Sequence, residues 1–287
     1  MINYSYPFKN DKEWNKFWAC FDDIQETEIM EVKSNAIINN KFCKARVYYI
    51  TGKFNRKWKG IKPDGDTYTF QIGEHENTHG HFINCDLTEF LGLNKLCPWQ
   101  HSFYWACSSA VDSSRRKEIH YPTVEYNDVD CFSNLWDMIK GLRMYDGKSL
   151  SSMNMKDHWD VEKMHWVGPF AIGHLRGLQE FEEFHQSRFL EFIPNRDGSV
   201  GKNKVIFSDG NCAALVGHPS MAATHKGEYF GFKPEKKSQP RIYVMDFWTC
   251  DGENLVDNWC QIDMIDLFRS INKEYEGFID EKLHYTG

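Results

Sequence analysis

Tyr243-Val-Met-Asp-Phe-Trp-Thr-Cys-Asp-Gly-Glu-Asn-Leu-Val-Asp-Asn-Trp-Cys-Gln-Ile-Asp263 is the stretch whose reading decides the fold. Two apolar runs flank Asp251-Gly252, a dipeptide suited to a tight hairpin turn. The pattern predicts paired strands over Arg241 to Trp248 and Asn254 to Asp263. Upstream, Lys204 to Ser208 and Ala213 to His218 read as two more strands. Before them, Phe132, Leu135, Trp136, Ile139 and Leu142 recur at helical spacing within Asp130 to Tyr145. Leu178, Phe181, His185, Phe189 and Phe192 do the same within Gly177 to Phe192. Met164 to Val167 is a short strand stopped by Gly168-Pro169. Helices followed by a run of antiparallel strands predict an α+β layer, a curled sheet wrapped around helices.

The first third repeats this plan in shorter form. Asn10 is a helix cap with Glu13 three residues on. Trp14, Phe17, Trp18 and Phe21 make one stripe of a helix over Asn10 to Asp23. Strands follow at Glu28 to Val32, Ala45 to Thr51 and Thr67 to Gly73. Trp58-Lys-Gly60-Ile-Lys-Pro63 then matches Tyr229-Phe-Gly231-Phe-Lys-Pro234, each leading into a strand, an acid, a hairpin and a last Asp, Asp86 or Asp263. The expected organisation is a truncated copy over 1–100, a linker over 101–129 and a complete copy over 130–287. The two copies could pair within the chain as a pseudo-dimer, or the chain could form a homodimer.

Bulk properties exclude several classes of function. With a net charge of −7 over 287 residues, the chain offers a nucleic-acid partner no electrostatic help. No run approaches a membrane-spanning length of about 18 apolar residues. The nine cysteines include no C-x-x-C pair. The first residues are neither basic nor strongly apolar, so a cytoplasmic location is expected. Aromatics make up 15% of the chain, enough to wall a pocket for an apolar small-molecule ligand.

The second half carries a motif series. It runs His165-Trp166-Val167-Gly168-Pro169, His185-Gln186-x-x-Phe189-Leu190 and Phe192-Ile193-Pro194-Asn195-Arg196. It continues with Gly217-His218-Pro219-Ser220-Met221-x-x-Thr224-His225, Val244-Met245-Asp246-Phe247-Trp248 and Asn258-Trp259-x-x-x-Asp263. In that order the series resembles the SnoaL-like polyketide cyclases, also called ester cyclases, of the nuclear transport factor 2-like superfamily. The resemblance implies a cone-shaped sheet open at one end to a hydrophobic pocket. It also implies cofactor-free general acid/base chemistry on a small carbonyl compound, such as an intramolecular aldol closure. In the family, the Asp of the Trp-x-x-x-Asp pattern is the general acid/base, which corresponds here to Asp263. Because the superfamily also holds isomerases and non-catalytic binding proteins, fold alone does not fix a reaction.

Asp263 is therefore the first catalytic candidate. Strand alternation predicts that it shares a face with Trp259 and Gln261. The competing reading makes Asp263 the cap of a following helix, Met264 to Ile271. Asp246, in a strongly apolar strand with Val244 and Trp248, must be paired or neutral. It is either a pocket acid or a partner for Arg196 or Arg241. His185 lies on an apolar helix stripe and is either a core residue or a pocket acid/base. His165, Trp166, Phe189, His218, His225, Trp248, Trp259 and Gln261 are the expected ligand-contacting residues. His75-Glu76-Asn77-Thr78-His79 matches the zinc-protease pattern, which needs both histidines on one helix face. Its strand-like context argues for a hairpin tip and against a zinc hydrolase. A fortuitous surface metal site from His75, His79 and His81 is the other alternative. No metal or cofactor is expected.

Overall fold

A computed structural model of the chain describes residues 8–34, 43–76, 80–85, 90, 118–169, 172–197, 204–235, 238–273, 275 and 277, with backbone only for 80–85, 218 and 219. The fold is α+β. Helix α1 (Asp11–Trp18) precedes strands β1 (Phe21–Lys33), β2 (Lys44–Phe54), β3 (Thr67–His75) and β4 (Gly80–Cys85). Helix α2 (Cys131–Leu142) follows, with two 3-10 turns after it, then β5 (His165–Val167) and β6 (His174–Arg176). Next come α3 (Gly177–Phe181), a π-helical turn (Glu182–Gln186) and α4 (Ser187–Phe192). Strands β7 (Val205–Asp209), β8 (Cys212–Met221), β9 (Ile242–Cys250) and β10 (Leu255–Ile262), then helix α5 (Met264–Ile271), complete the order.

The hairpin anticipated at Asp251-Gly252 joins β9 to β10. Asp251 accepts from the amides of Glu253 and Asn254, and Gly252 takes φ 107°, a region that disfavours side chains. Around this hairpin the strands order as β6-β5-β10-β9-β8-β7, antiparallel except where β5 runs parallel to β10. Asn10 and Asp130 cap α1 and α2 through their side chains. Helix α1 stops sooner than its apolar stripe suggests. Asp23 turns the chain at φ 53°, and Phe21 already belongs to β1. The predicted helix over Gly177 to Phe192 is interrupted by the π turn, which the period alone did not reveal. Of the expected linker, only 118–129 is described, as coil and bends; Asp86 lies outside the described residues.

The first four strands form their own sheet, in the order β1-β2-β3-β4. One face covers an aromatic cluster in which Phe17 meets Phe21, Trp58, Phe70 and Phe90 at 4.9–5.6 Å between ring centres. The other face packs on the six-stranded sheet. Val32, Ala45, Val47 and Tyr49 are buried there against Phe207, Val216, Met245, Phe247 and Trp259. Strand alternation accounts for this seam, since every second residue of β2, β8 and β9 turns toward it. The matched Gly-x-x-Pro segments form the same tight loop. Trp58 pairs with Ile61 and Tyr229 with Phe232, and the intervening Lys59 and Phe230 adopt φ 50° and 53°.

The seam is tight at Gly73. A methyl group there would strike Gln261 Oε1 and stand 2.8 Å from Met245 Sδ, and both side chains are wholly buried. Gly73→Ala is expected to cost about 1–3 kcal/mol through overpacking, read as a lower urea midpoint at unchanged slope. An unchanged midpoint would show that the seam can give way.

The six described cysteines that carry free thiols are all buried. No helix among the described residues is long and apolar enough to cross a membrane.

Candidate active site

The concave face of the six-stranded sheet and the helices over it enclose two adjoining cavities. One is about 130 Å³, with Trp166, His185, Gln186 and Asn258 in its wall. The other is about 420 Å³ and reaches Arg143, Tyr145, Asp197 and Lys204. Met138, Leu142, Arg196, Met221, Val244, Asp246 and Trp248 line both. Alternation along β9 produces this arrangement. Val244, Asp246 and Trp248 face the cavities, whereas Met245 and Phe247 belong to the seam.

Asp246 is the acid at the junction. Its neighbours across the sheet are Leu215 and Cys260. Asn258 Nδ2 donates to its Oδ1 at 3.3 Å and to the Phe247 carbonyl at 3.0 Å. Burial pushes its pKa up to about 6, against the opposing pull of the Cys260 thiol, the Asn258 amide and the Lys204 charge. A carboxylate tuned to that range suits proton transfer near neutral pH.

His185 lines the smaller cavity too and sits in the π turn, a distortion that often marks functional positions. Its ring stacks on Trp166 at 4.2 Å and 20°. Burial, helped by the Arg196 charge, lowers its pKa to about 3, so the imidazole is neutral across the working range. Such a group orients or polarises a ligand by hydrogen bonding and does not carry a proton charge. Arg196 donates to the Leu142 carbonyl at 3.1 Å and reaches Met153 Sδ at 3.8 Å. No carboxylate among the described residues forms a salt bridge with it, and burial lowers its pKa to about 10. It is a half-buried cation facing a cavity.

The structure thus brings Asp246, His185, Trp166, Phe189 and Trp248 together. It places the other expected residues elsewhere. Asp263 is the cap of α5, where its side chain accepts from the Asp266 amide at 3.0 Å, and it lines neither cavity. Trp259 lies in the seam, as does Gln261 beside Gly73. Their strand faces the opposite way from the expected one, with Asn258, Cys260 and Ile262 on the cavity side. All eight residues of β10 are buried, so apolarity did not tell the two faces apart. His165 is on the seam side of β5, opposite Trp166. His225 is buried against Phe192 at 4.9 Å, away from the cavities. The side chain of His218 lies outside the described residues. Arg241 pairs with Asp266 at 2.7 and 2.8 Å, not with Asp246. Arg196, Gln186, Asn258, Cys260 and Lys204 complete the walls. All but Lys204 sit inside quoted motifs, yet only strand and helix orientation shows which way they point.

The zinc-hydrolase alternative does not fit. His75 ends the extended strand β3, is buried, and leans on Phe207 across the seam at 6.1 Å. Extended backbone there cannot supply the helical spacing of that motif. His79 and the His81 side chain are outside the described residues.

No protein-family model and no curated protein matches this chain. Among solved structures, it is similar to a nuclear transport factor 2-like protein from Burkholderia xenovorans LB400, at 14% identity and a TM-score of 0.38 over 52% of this chain and 100% of that one. It is likewise similar to a candidate SnoaL-like polyketide cyclase from Jannaschia sp. CCS1, at 11% identity and a TM-score of 0.39 over 52% and 96%. A candidate polyketide cyclase from Streptomyces antibioticus aligns at 16% identity and a TM-score of 0.36 over 47% and 96%.

Proposed function

We propose that the chain is an acid/base enzyme that acts on a small, largely apolar carbonyl compound with an acidic α-proton. The observation that carries this reading is Asp246, one carboxylate with a pKa near 6, in the wall of a largely apolar cavity that also holds the half-buried Arg196. In the proposed step the Asp246 carboxylate takes the α-proton, and the electron pair left on carbon delocalises onto the carbonyl oxygen as an enolate. Arg196, with no acid of its own, stabilises that negative charge. Neutral His185 and Gln186 hold the carbonyl by hydrogen bonds, while Trp166 and Trp248 exclude water. The proton returns from Asp246 to carbon or oxygen, as an isomerase or an aldol-type cyclase requires. The larger cavity has the size of a small-molecule site. This reading is in keeping with the cyclase-like motif series, but moves the acid/base from the Asp263 position to Asp246. The first sheet is proposed as a support that makes the chain an intrachain pseudo-dimer of two tandem units.

The test is deuterium uptake from D2O at the α-carbon of a panel of 1,3-dicarbonyl compounds, followed by proton NMR. Wild type should accelerate exchange. Asp246→Asn should abolish the acceleration, while Asp263→Asn, which keeps a good cap, should retain it. Binding of such compounds without any exchange would make this a non-catalytic ligand-binding fold. Loss of exchange in Asp263→Asn alone would return the role to Asp263.

A further inference from the structure

We propose that His120, His165 and His174 form a site for one divalent transition-metal ion of the zinc class, on the seam side of the six-stranded sheet. One ligand nitrogen from each histidine lies within 4.8 Å of the others. The sheet itself produces the juxtaposition. His165 lies two residues before Val167 on β5, and His174 on β6 is the partner of Val167, so both rings leave the same face. His120 reaches them from the coil before α2. Its carbonyl accepts from Trp259 Nε1 at 3.3 Å, and its ring stacks on His165 at 4.3 Å. Trp166, between these positions, faces the cavity instead, so the sheet separates the two sites.

The surroundings are those of a built ligand set. Asp257 is wholly buried, and its Oδ1 is 2.7 Å from His120 Nε2. Thr123 N, Thr123 Oγ1 and Thr249 Oγ1 fix that carboxylate at 2.9, 2.7 and 2.6 Å. His120 Nε2 is thereby committed to Asp257, which leaves Nδ1 as its ligand atom. A carboxylate behind a histidine in this way fixes the ring and raises its basicity toward a metal. His165 Nδ1 and His174 Nε2 are 2.8 Å apart and share one proton. Two nitrogens on a tetrahedral ion, at bonds of 2.0–2.1 Å, stand about 3.3 Å apart. A small opening of the pair therefore lets an ion replace the shared proton, with His120 Nδ1 as the third ligand while its Nε2 stays on Asp257. Three imidazoles suit zinc, cobalt, nickel or copper and not calcium or magnesium. A bound ion would tie the coil at 118–123 to β5 and β6. Ile119 packs against the seam in that same coil.

The experiment uses the full chain, stripped with chelator and dialysed. Zn²⁺ is titrated by calorimetry and Co²⁺ by its visible ligand-field absorption. One ion per chain is expected, with His174→Ala abolishing binding and Asp257→Asn weakening it about 10- to 100-fold. Asp246→Asn should bind the ion as wild type does, so failure here is distinct from failure of the proposed catalysis. Should His174→Ala not fold, His165→Gln serves, with the same loss expected. Wild type without saturable 1:1 binding, or unchanged affinity in the histidine variants, would overturn the site and leave three hydrogen-bonded rings.

Discussion

Replacing Asp246 with asparagine should lower turnover by about 10²- to 10⁴-fold and at the same time raise the melting temperature at pH 7.5. Both effects follow from one property. Burial lifts the carboxyl pKa from 3.8 to about 6, so the folded chain holds this proton more tightly than the unfolded chain does. The group therefore contributes stability that is complete below its unfolded value near 3.8 and is lost as pH rises through about 6. Above that, wild type carries a poorly solvated charge, whereas the amide carries none. The difference favours the variant by on the order of 1–3 kcal/mol at pH 7.5 and vanishes toward pH 4. The wild-type rate should rise with pH through about 6, as the base loses its proton. Thermal melts at both pH values, run beside the exchange assay, check the pair of effects. A variant that is less stable than wild type at pH 7.5 would contradict the assignment, and so would one that keeps most of its rate.

Asp257→Ala should have the larger structural effect, a loss of about 3–5 kcal/mol in denaturant unfolding followed by tryptophan fluorescence. This carboxylate lies on the neighbouring strand but faces the seam side. Burial alone would push its pKa up. The hydrogen bonds from His120, Thr249 and Thr123 outweigh that and hold it below the usual range. The linkage to pH is thus opposite to that of Asp246. Its stability is present above the unfolded value and disappears as pH falls through the lowered folded one. Alanine leaves the Thr123 amide, two hydroxyls and the His120 ring without their acceptor, a cost that exceeds the value of the bonds themselves. Stability within about 1 kcal/mol of wild type would mean that water replaces the carboxylate.

These two acids show how far the sequence could be read. The strands around the Asp251-Gly252 turn, the turn itself, the Asn10 cap and the α5 cap follow from local spacing and turn chemistry, whereas β1 starts at Phe21, inside the expected helix, and the three-residue β6 has no signal of its own. Orientation does not follow where a strand is buried on both sides. Along β10, Asn258 and Trp259 are equally hidden, and only the first sheet covering one face makes them different. Apolarity alone therefore does not assign the Trp-x-x-x-Asp pattern to the cavity face or the seam face. Asp246 was legible as an acid in an apolar strand with Arg196 among its candidate partners, but not that the two share a cavity wall without a salt bridge, because Arg196 leaves a coil with no periodicity to orient it. The histidine cluster was invisible as a unit. His120 is far from His165 and His174 in sequence, and no motif joins coil to strand.

The π turn has a consequence for chain length. Each residue advances an α-helix by about 100°, but a π turn, with more residues per turn, by less. Phe181 and Phe189 are eight positions apart, and unbroken α-helix would set them about 80° apart around the axis. The turn at Glu182–Gln186 takes up most of that offset, so both rings reach the same cavity wall. The segment thus tolerates the loss of one residue better than a regularised winding at constant length, which would carry one of the two rings off the chamber.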